Sequence, residues 1–346
     1  MRVLVTGHKG YIGTVLTRIL SERGYDVVGY DSNYYMGCEI GRDDQDVMSI
    51  VKDIRNVSLD DMQGFDAIVH LAAISNDPLG EIDPLLTYEI NRDATIRLSE
   101  FAKAAGVKRF IYSSSQSMYG ISGTDADLEE DNSQKHPLTA YARSKWEAEC
   151  ALKKLSDKNF CVVCFRPSTV FGASPRLRCD IVYNNLVACA YTTGKIEIKS
   201  DGTPWRPVVH ILDVCSAFIA GLEAPVDIVG GESFNIGILN GNYTIRALAE
   251  AAQQTVPGCS LVFTGEHGPD SRTYRVSFNK ILTVLKDYFK PVWNLDKGGR
   301  ELVDFFKKTN FNETMFRGRS CTRLEQIKYL MAEKKLDDRL YWSGKS

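Results

Sequence analysis

Tyr141 and Lys145 stand four residues apart in YARSK, a spacing that on a helix puts both side chains on one face. A free phenol titrates near about 10 and is a poor base at neutral pH, but a neighbouring ammonium stabilises the phenolate and lowers that value. Such a phenol can take the proton of an alcohol and later return it. On an isolated surface helix the same spacing would be an ordinary side-chain pair, so its meaning depends on what the rest of the chain brings to it.

A partner for that chemistry is indicated near the N-terminus. TGHKGYIG, residues 6–13, follows MRVLV and opens an apolar-periodic run, TVLTRILSERG, so Gly7, Gly10 and Gly13 fall where a first strand turns into a first helix. Backbone N–H groups and the positive end of the helix dipole there converge on one point, and missing side chains allow close approach, which suits a pyrophosphate. About twenty residues on, DVVGYD ends in Asp31, whose carboxylate would accept hydrogen bonds from ribose hydroxyls and repel a 2′-phosphate. No arginine follows in SNYY, so the expected cofactor is NAD rather than NADP.

These groups need a frame that joins strand ends to helix starts. Short β-rich runs (RVLVT, DVVGYD, AIVHLAA, RFIYSSS) alternate with helical patterns (VLTRILSER, TIRLSEFAKAAGV), which predicts an α/β fold with a doubly wound parallel sheet. Ala94, Leu98, Phe101, Ala102 and Ala105 recur at helical spacing. A polar loop, ISGTDADLEEDNSQKHP, precedes a helix expected to begin near Thr139, and CVVCFR reads as the next strand. The expected division is a nucleotide-binding domain over 1–171, with later segments such as 205–220 returning to it. A smaller, partly interleaved substrate-binding lobe follows over 172–346. Leu324, Ile327, Leu330 and Met331 predict a terminal helix packed on its own domain.

Composition narrows the partners. Of 346 residues, 44% are hydrophobic and 25% charged, and a net charge of −2 offers no footprint for nucleic acid or an anionic membrane, so a small molecule is the expected ligand. Nine cysteines at irregular spacing do not form a disulfide framework, and no signal peptide or apolar run near twenty residues stands out. A cytoplasmic protein with reduced thiols is expected. Cys161 and Cys164 form a C-x-x-C, but within FCVVCFRP they would face opposite sides of a strand, as two structural cysteines rather than a redox or metal site.

The glycine spacing is G-x-x-G-x-x-G, and with YARSK, KDIRN, HLAA and YSSSQSMYG it resembles the extended short-chain dehydrogenase/reductase family, in its nucleotide-sugar epimerase and dehydratase branch. The resemblance implies a Rossmann-type fold, bound NAD and a nucleotide-sugar substrate, UDP- or GDP-linked. Matching M-Y-G to the family's V-Y-G implies that Ser115 joins Tyr141 and Lys145 as the catalytic hydroxyl. It also implies a cofactor shell of Tyr11 and Ile12 beside the glycines, Asp53 and Ile54, Leu71, Ala72 and Ala73, Asn91, Ser113 and Pro167, with Lys145 on the nicotinamide ribose. Ser115, Gln116, Thr169, Asn185, Arg206 and Arg272 are implied substrate contacts, with Arg176 and Arg178 of ASPRLRCD as extra candidates. A homodimer through helices around 94–106 and 139–158 is implied as well.

The chain also departs from the pattern. Gln116 and Ser117 stand where the branch's dehydratases carry Asp-Glu, so elimination of water lacks its acid and base. Pro167 and Thr169 replace a tyrosine and an asparagine, and His267 falls near a missing arginine. The resulting expectation is epimerisation by transient oxidation at C4 of a nucleotide-linked hexose. A C4 dehydrogenase with net redox is the alternative, with a dehydratase or a non-catalytic NAD-sensing protein further off.

Overall fold

The structure is a computed structural model that describes residues 1–41, 47–75, 80, 83–121, 126–266 and 273–344. Its strands are β1 (Arg2–Thr6), β2 (Asp26–Asp31), β3 (Met48–Val51), β4 (Ala67–His70), β5 (Arg109–Ser113), β6 (Cys161–Pro167), β7 (Thr169–Phe171), β8 (Lys195–Ile198), β9 (Trp205–His210), β10 (Ser233–Ile236), β11 (Asn242–Thr244) and β12 (Ser260–Phe263). Seven of them form one parallel sheet in the order β10-β6-β5-β4-β1-β2-β3. The order reverses between β1 and β4, and the crevice at such a reversal is where open α/β sheets bind ligands.

Helices cover both faces. The principal ones are α1 (Tyr11–Glu22), α2 (Ala94–Ala104), α3 (Ala140–Leu155), α4 (Val182–Thr193), α5 (Ile211–Glu223), α6 (Ile245–Thr255), α7 (Leu295–Lys308) and α8 (Arg323–Ala332). Val15, Leu16 and Leu20 of α1 pack with α5 and Val3, Val5 and Val69 on one face of the sheet. Leu98 and Ala102 of α2 and Ala148 and Leu152 of α3 pack with Leu4, Ile68 and Phe110 on the other. Cys161 lies in the first of these cores and Cys164 in the second, so the C-x-x-C spans the sheet and both thiols are buried and free. Thr139 caps α3, its hydroxyl accepting the Ala142 N–H at 3.2 Å.

Beyond β7 the chain builds two small sheets, β11-β9-β7 and β12-β8, with α4, α6 and α7 packed around them. It returns to the main sheet through α5 and β10. The terminal helix departs from the sequence expectation: Ile327 and Leu330 of α8 join the core that holds Tyr30 and Ile54 and is flanked by Tyr34 and Tyr35, so α8 packs on the first half of the chain. Among the described residues no helix is long and apolar enough to cross a membrane.

Candidate active site

A cleft of about 610 Å³ opens along the ends of β1, β2, β4, β5 and β6. The glycine loop lines it. Gly7 has φ +72° and its N–H donates to Tyr30 O at 2.8 Å; a Cβ there would lie 2.7 Å from the Ala72 nitrogen. A Cβ on Gly13 would lie 2.2 Å from Gly7 O, so this glycine lets α1 sit against the loop. Gly10 begins α1 with no side-chain cap and no acidic residue in the first turn, leaving N–H groups of the helix start for an anion. This cradle fits the diphosphate of a dinucleotide. Ile12 lines it, as does Tyr11, whose hydroxyl donates to Gly172 O at 2.8 Å and ties the loop to the segment after β7.

Asp31 ends β2 at one end of the cleft. Its carboxylate accepts the N–H groups of Lys9 at 3.0 Å and Asn33 at 2.8 Å, which fixes it toward the loop. Asp53 and Ile54 line the same end. Asp53 is gripped by buried Arg55, at 2.6 Å from Nη2 and 2.9 Å from Nε, and by the Tyr34 hydroxyl at 3.1 Å.

Leu71, Ala72 and Ala73 form the wall after β4. Thr6 Oγ1 accepts the Leu71 and Ala72 N–H groups at 3.2 Å each and therefore gives its proton to His70 Nδ1, 2.6 Å away. That leaves His70 Nε2 to donate to Thr95 Oγ1 at 2.7 Å. The ring is neutral, because burial, helped by the charge of Lys145, drives its pKa well below the ordinary histidine value. Asn91 is fully buried in a π-helical turn, Glu89–Asp93, and does not line the cleft. Its amide brackets Ile74, accepting the N–H at 2.8 Å and donating to the carbonyl at 3.0 Å, so it shapes the wall from behind.

Ser113, Ser115, Tyr141 and Lys145 all line this cleft. Ser115 caps a short 3₁₀ turn, Gln116–Tyr119; its Oγ accepts the Ser117 N–H at 3.1 Å and lies 2.9 Å from Ser117 Oγ. Lys145 is almost wholly buried, donates to Ser113 O at 2.8 Å, and sits 4.9 Å from the centre of the Tyr112 ring. Burial pulls its pKa down to about 7. One turn further along α3, buried Glu149 accepts from Ser114 Oγ at 2.5 Å, Ser233 Oγ at 2.7 Å and Arg166 Nη2 at 2.5 Å, anchoring the segment that carries Ser115.

Gln116, Pro167, Thr169 and Arg206 border the remaining cleft, with Ser75, Tyr274 and Arg178. Gln116 is held from behind, donating to Arg166 O at 3.0 Å and accepting from Ser168 Oγ at 3.2 Å. Arg178 pairs with Asp180 through two 2.9 Å contacts and donates to Ser75 Oγ at 3.2 Å. Arg176 and Asn185 do not reach the cleft: the first is engaged by Glu39 and Tyr35 O, the second donates to Cys179 O at 2.8 Å. Arg272 and His267 lie outside the described residues. Sequence reasoning missed Arg323, Ile327 and Leu340, which line the cleft from the C-terminal segment; no local spacing links them to a loop some 300 residues earlier.

Comparison with known proteins gives the same picture. Residues 3–237 match the model of the NAD dependent epimerase/dehydratase family. The chain is 27% identical over 290 residues to the UDP-glucose 4-epimerase of Bacillus subtilis, covering 73% of this chain and 82% of that one. It is 26% identical over 357 residues to UDP-glucose 4-epimerase 1 of Oryza sativa subsp. japonica, covering 89% and 95%. Among solved structures, MoeE5 in complex with UDP-glucose and NAD superposes with a TM-score of 0.75 at 25% identity, covering 90% of this chain and all of that one. UDP-glucose 4-epimerase of Thermotoga maritima shares the fold with a TM-score of 0.78 at 22% identity, covering 90% and 100%. A family match across two thirds of the chain, on a Rossmann-type sheet with its glycine cradle formed, makes this protein an NAD-dependent enzyme of the epimerase/dehydratase family, in the nucleotide-sugar branch of the extended short-chain dehydrogenase/reductases.

Proposed function

We propose that the protein is a nucleotide-sugar 4-epimerase acting on a UDP-linked hexose. The observation that carries this is the meeting of Ser115, Tyr141 and Lys145 in the glycine-loop cleft while Gln116 and Ser117, neither able to act as a carboxyl acid or base, follow the catalytic serine. The relatives named above as UDP-glucose 4-epimerases support the substrate class.

In this mechanism Tyr141, as phenolate, takes the proton of the C4 hydroxyl, and Ser115 Oγ holds that oxygen in line by a hydrogen bond. Lys145 lends the phenolate positive charge and stays fixed through Ser113 O. NAD supplies the hydride acceptor and donor when bound. The 4-keto sugar turns over within the cleft, and Tyr141 returns the proton to the oxygen as the opposite face is reduced. Arg206 and Arg178 stand on the substrate side to neutralise the nucleotide diphosphate. A homodimer through α2 and α3, working in the cytoplasm with its nine thiols reduced, belongs to the same proposal; sedimentation at micromolar concentration tests the dimer.

Incubation with UDP-, GDP-, CDP- and dTDP-hexoses, followed by mass spectrometry and NMR, tests the reaction. An epimer of unchanged mass from a UDP-sugar is the expected product. A product lighter by two hydrogens would make the enzyme a dehydrogenase, and one lighter by a water would make it a dehydratase.

A further inference from the structure

Four hydrogen bonds tie the C-terminal stretch to residues around the end of the cleft expected to take the cofactor's adenosine. Gln326 Nε2 donates to Tyr34 O at 2.9 Å, and Trp342 Nε1 donates to Ser32 O at 2.7 Å. The Tyr34 hydroxyl lies 2.6 Å from Leu340 O, and Arg55 Nη1 donates to Arg339 O at 2.7 Å while its guanidinium sits 3.7 Å from the centre of the Tyr341 ring. Ser32 and Tyr34 follow Asp31, and Arg55 holds Asp53, so residues 323–342 tie together the two segments between which an adenosine would lie.

Three side chains of this stretch enter the cleft wall. Ile327 and Leu340, both buried, add apolar surface beside Ile54. Arg323 differs from them. It is 2% exposed, donates from Nη2 to Arg176 O at 2.9 Å, and lies over the Tyr35 ring at 4.2 Å, yet its Nη1 is buried with no hydrogen-bond partner among the described residues. No described carboxylate lies within ion-pair distance of it, whereas Arg55, Arg176 and Arg178 each have one. A buried guanidinium with an unmet N–H is costly unless a ligand oxygen supplies the partner. Arg323 lies one turn before Ile327 on α8, and Tyr35, whose ring it covers, lines the cleft four residues after Asp31, on the side expected to take the dinucleotide.

We propose that residues 323–342 are a clasp for the dinucleotide, in which Arg323 donates to a diphosphate oxygen and the Leu340–Trp342 turn closes the adenosine end, so that NAD stays bound through repeated turnovers. This rests on NAD being the resident cofactor and adds how this chain retains it.

The test is the NAD held by the purified protein. Wild type, Arg323→Met and Trp342→Ala are loaded with NAD and desalted, and the remaining NAD is measured by chromatography after heat release, alongside dissociation rates and the affinities of ADP and adenosine. Arg323→Met should release NAD at least tenfold faster and bind ADP about tenfold more weakly, with adenosine changed less than twofold. Trp342→Ala, at a side chain 38% exposed and therefore tolerant of substitution, should speed NAD release and weaken adenosine and ADP alike. Retention by both variants equal to wild type overturns the clasp. If Arg323→Met fails to fold, Trp342→Ala alone decides. Wild type that holds no NAD even when loaded would instead overturn the cofactor assignment itself.

Discussion

The ammonium of Lys145 donates to the carbonyl of Ser113 at 2.8 Å, so the charge that should activate Tyr141 is fixed to the last residue of β5 before a substrate arrives. The position is expensive. Burial lowers the Lys145 pKa from 10.5 to about 7, so unfolded chains bind more protons than folded ones between those values, and stability rises with pH across that interval.

Lys145→Met should therefore stabilise the cofactor-free protein below pH 7, by about 2–4 kcal/mol, and the gain should shrink toward zero near pH 10.5. Melting temperatures of both proteins between pH 6 and about 10 check this. The same variant should lose turnover. A constant difference across the pH range would mean that Lys145 is not desolvated as the structure shows.

Tyr141→Phe removes the acid–base oxygen while keeping the ring at the cleft wall on α3. Turnover should fall by about 10²–10⁴-fold while NAD content is unchanged. Chromatographic product assays beside NAD quantification separate the two effects, and undiminished turnover would remove Tyr141 from the mechanism.

Much of this arrangement was legible in the sequence because it depends on local periodicity. Alternating β-rich and helical runs predicted the parallel sheet, period two placed Cys161 and Cys164 on opposite faces, and Thr139 marked a helix start that its hydroxyl does cap. Asn91 and Asn185 were expected at the ligand because their segments match a family pattern, and Arg176 as an extra candidate, but a pattern fixes position and not side-chain direction. Each is engaged by a neighbouring backbone group or carboxylate and stands outside the cleft lining. The C-terminal segment was misplaced for a different reason. The apolar stripe of α8 shows that it packs, and nothing in its spacing says against what; its partners, Tyr34 and Tyr35, lie some 290 residues away.

Asp31 should govern the choice between NAD and NADP. Its two carboxylate oxygens already accept from Lys9 and Asn33, so the charge cannot swing away from a 2′-phosphate. Asp31→Asn keeps the shape, removes the charge and gives up one of the two backbone N–H acceptors, which should weaken NAD binding by about tenfold and improve NADP binding by a similar factor. Fluorescence titration with the reduced cofactors measures both, and an unchanged preference would mean that another group excludes the phosphate.

Glu149 makes no contact with the cleft yet should control it. Burial alone would raise its carboxyl pKa; the Arg166 guanidinium and the hydroxyls of Ser114 and Ser233 outweigh that and hold it below the ordinary value of 4.5. The depressed value means that the stabilisation is present above the unfolded pKa and is lost as pH falls through the folded one. Glu149→Gln leaves Arg166 buried without its counter-charge, which should cost about 3–5 kcal/mol at pH 7, with the deficit narrowing in acid. Because Ser114 would lose its 2.5 Å anchor one residue from Ser115, kcat should fall with little change in KM, and Ser114→Ala should reproduce part of that fall with a smaller loss of stability. Melting curves from about pH 2.5 to 8 and steady-state kinetics on the two variants test the link; normal kcat in both would confine Glu149 to holding the fold.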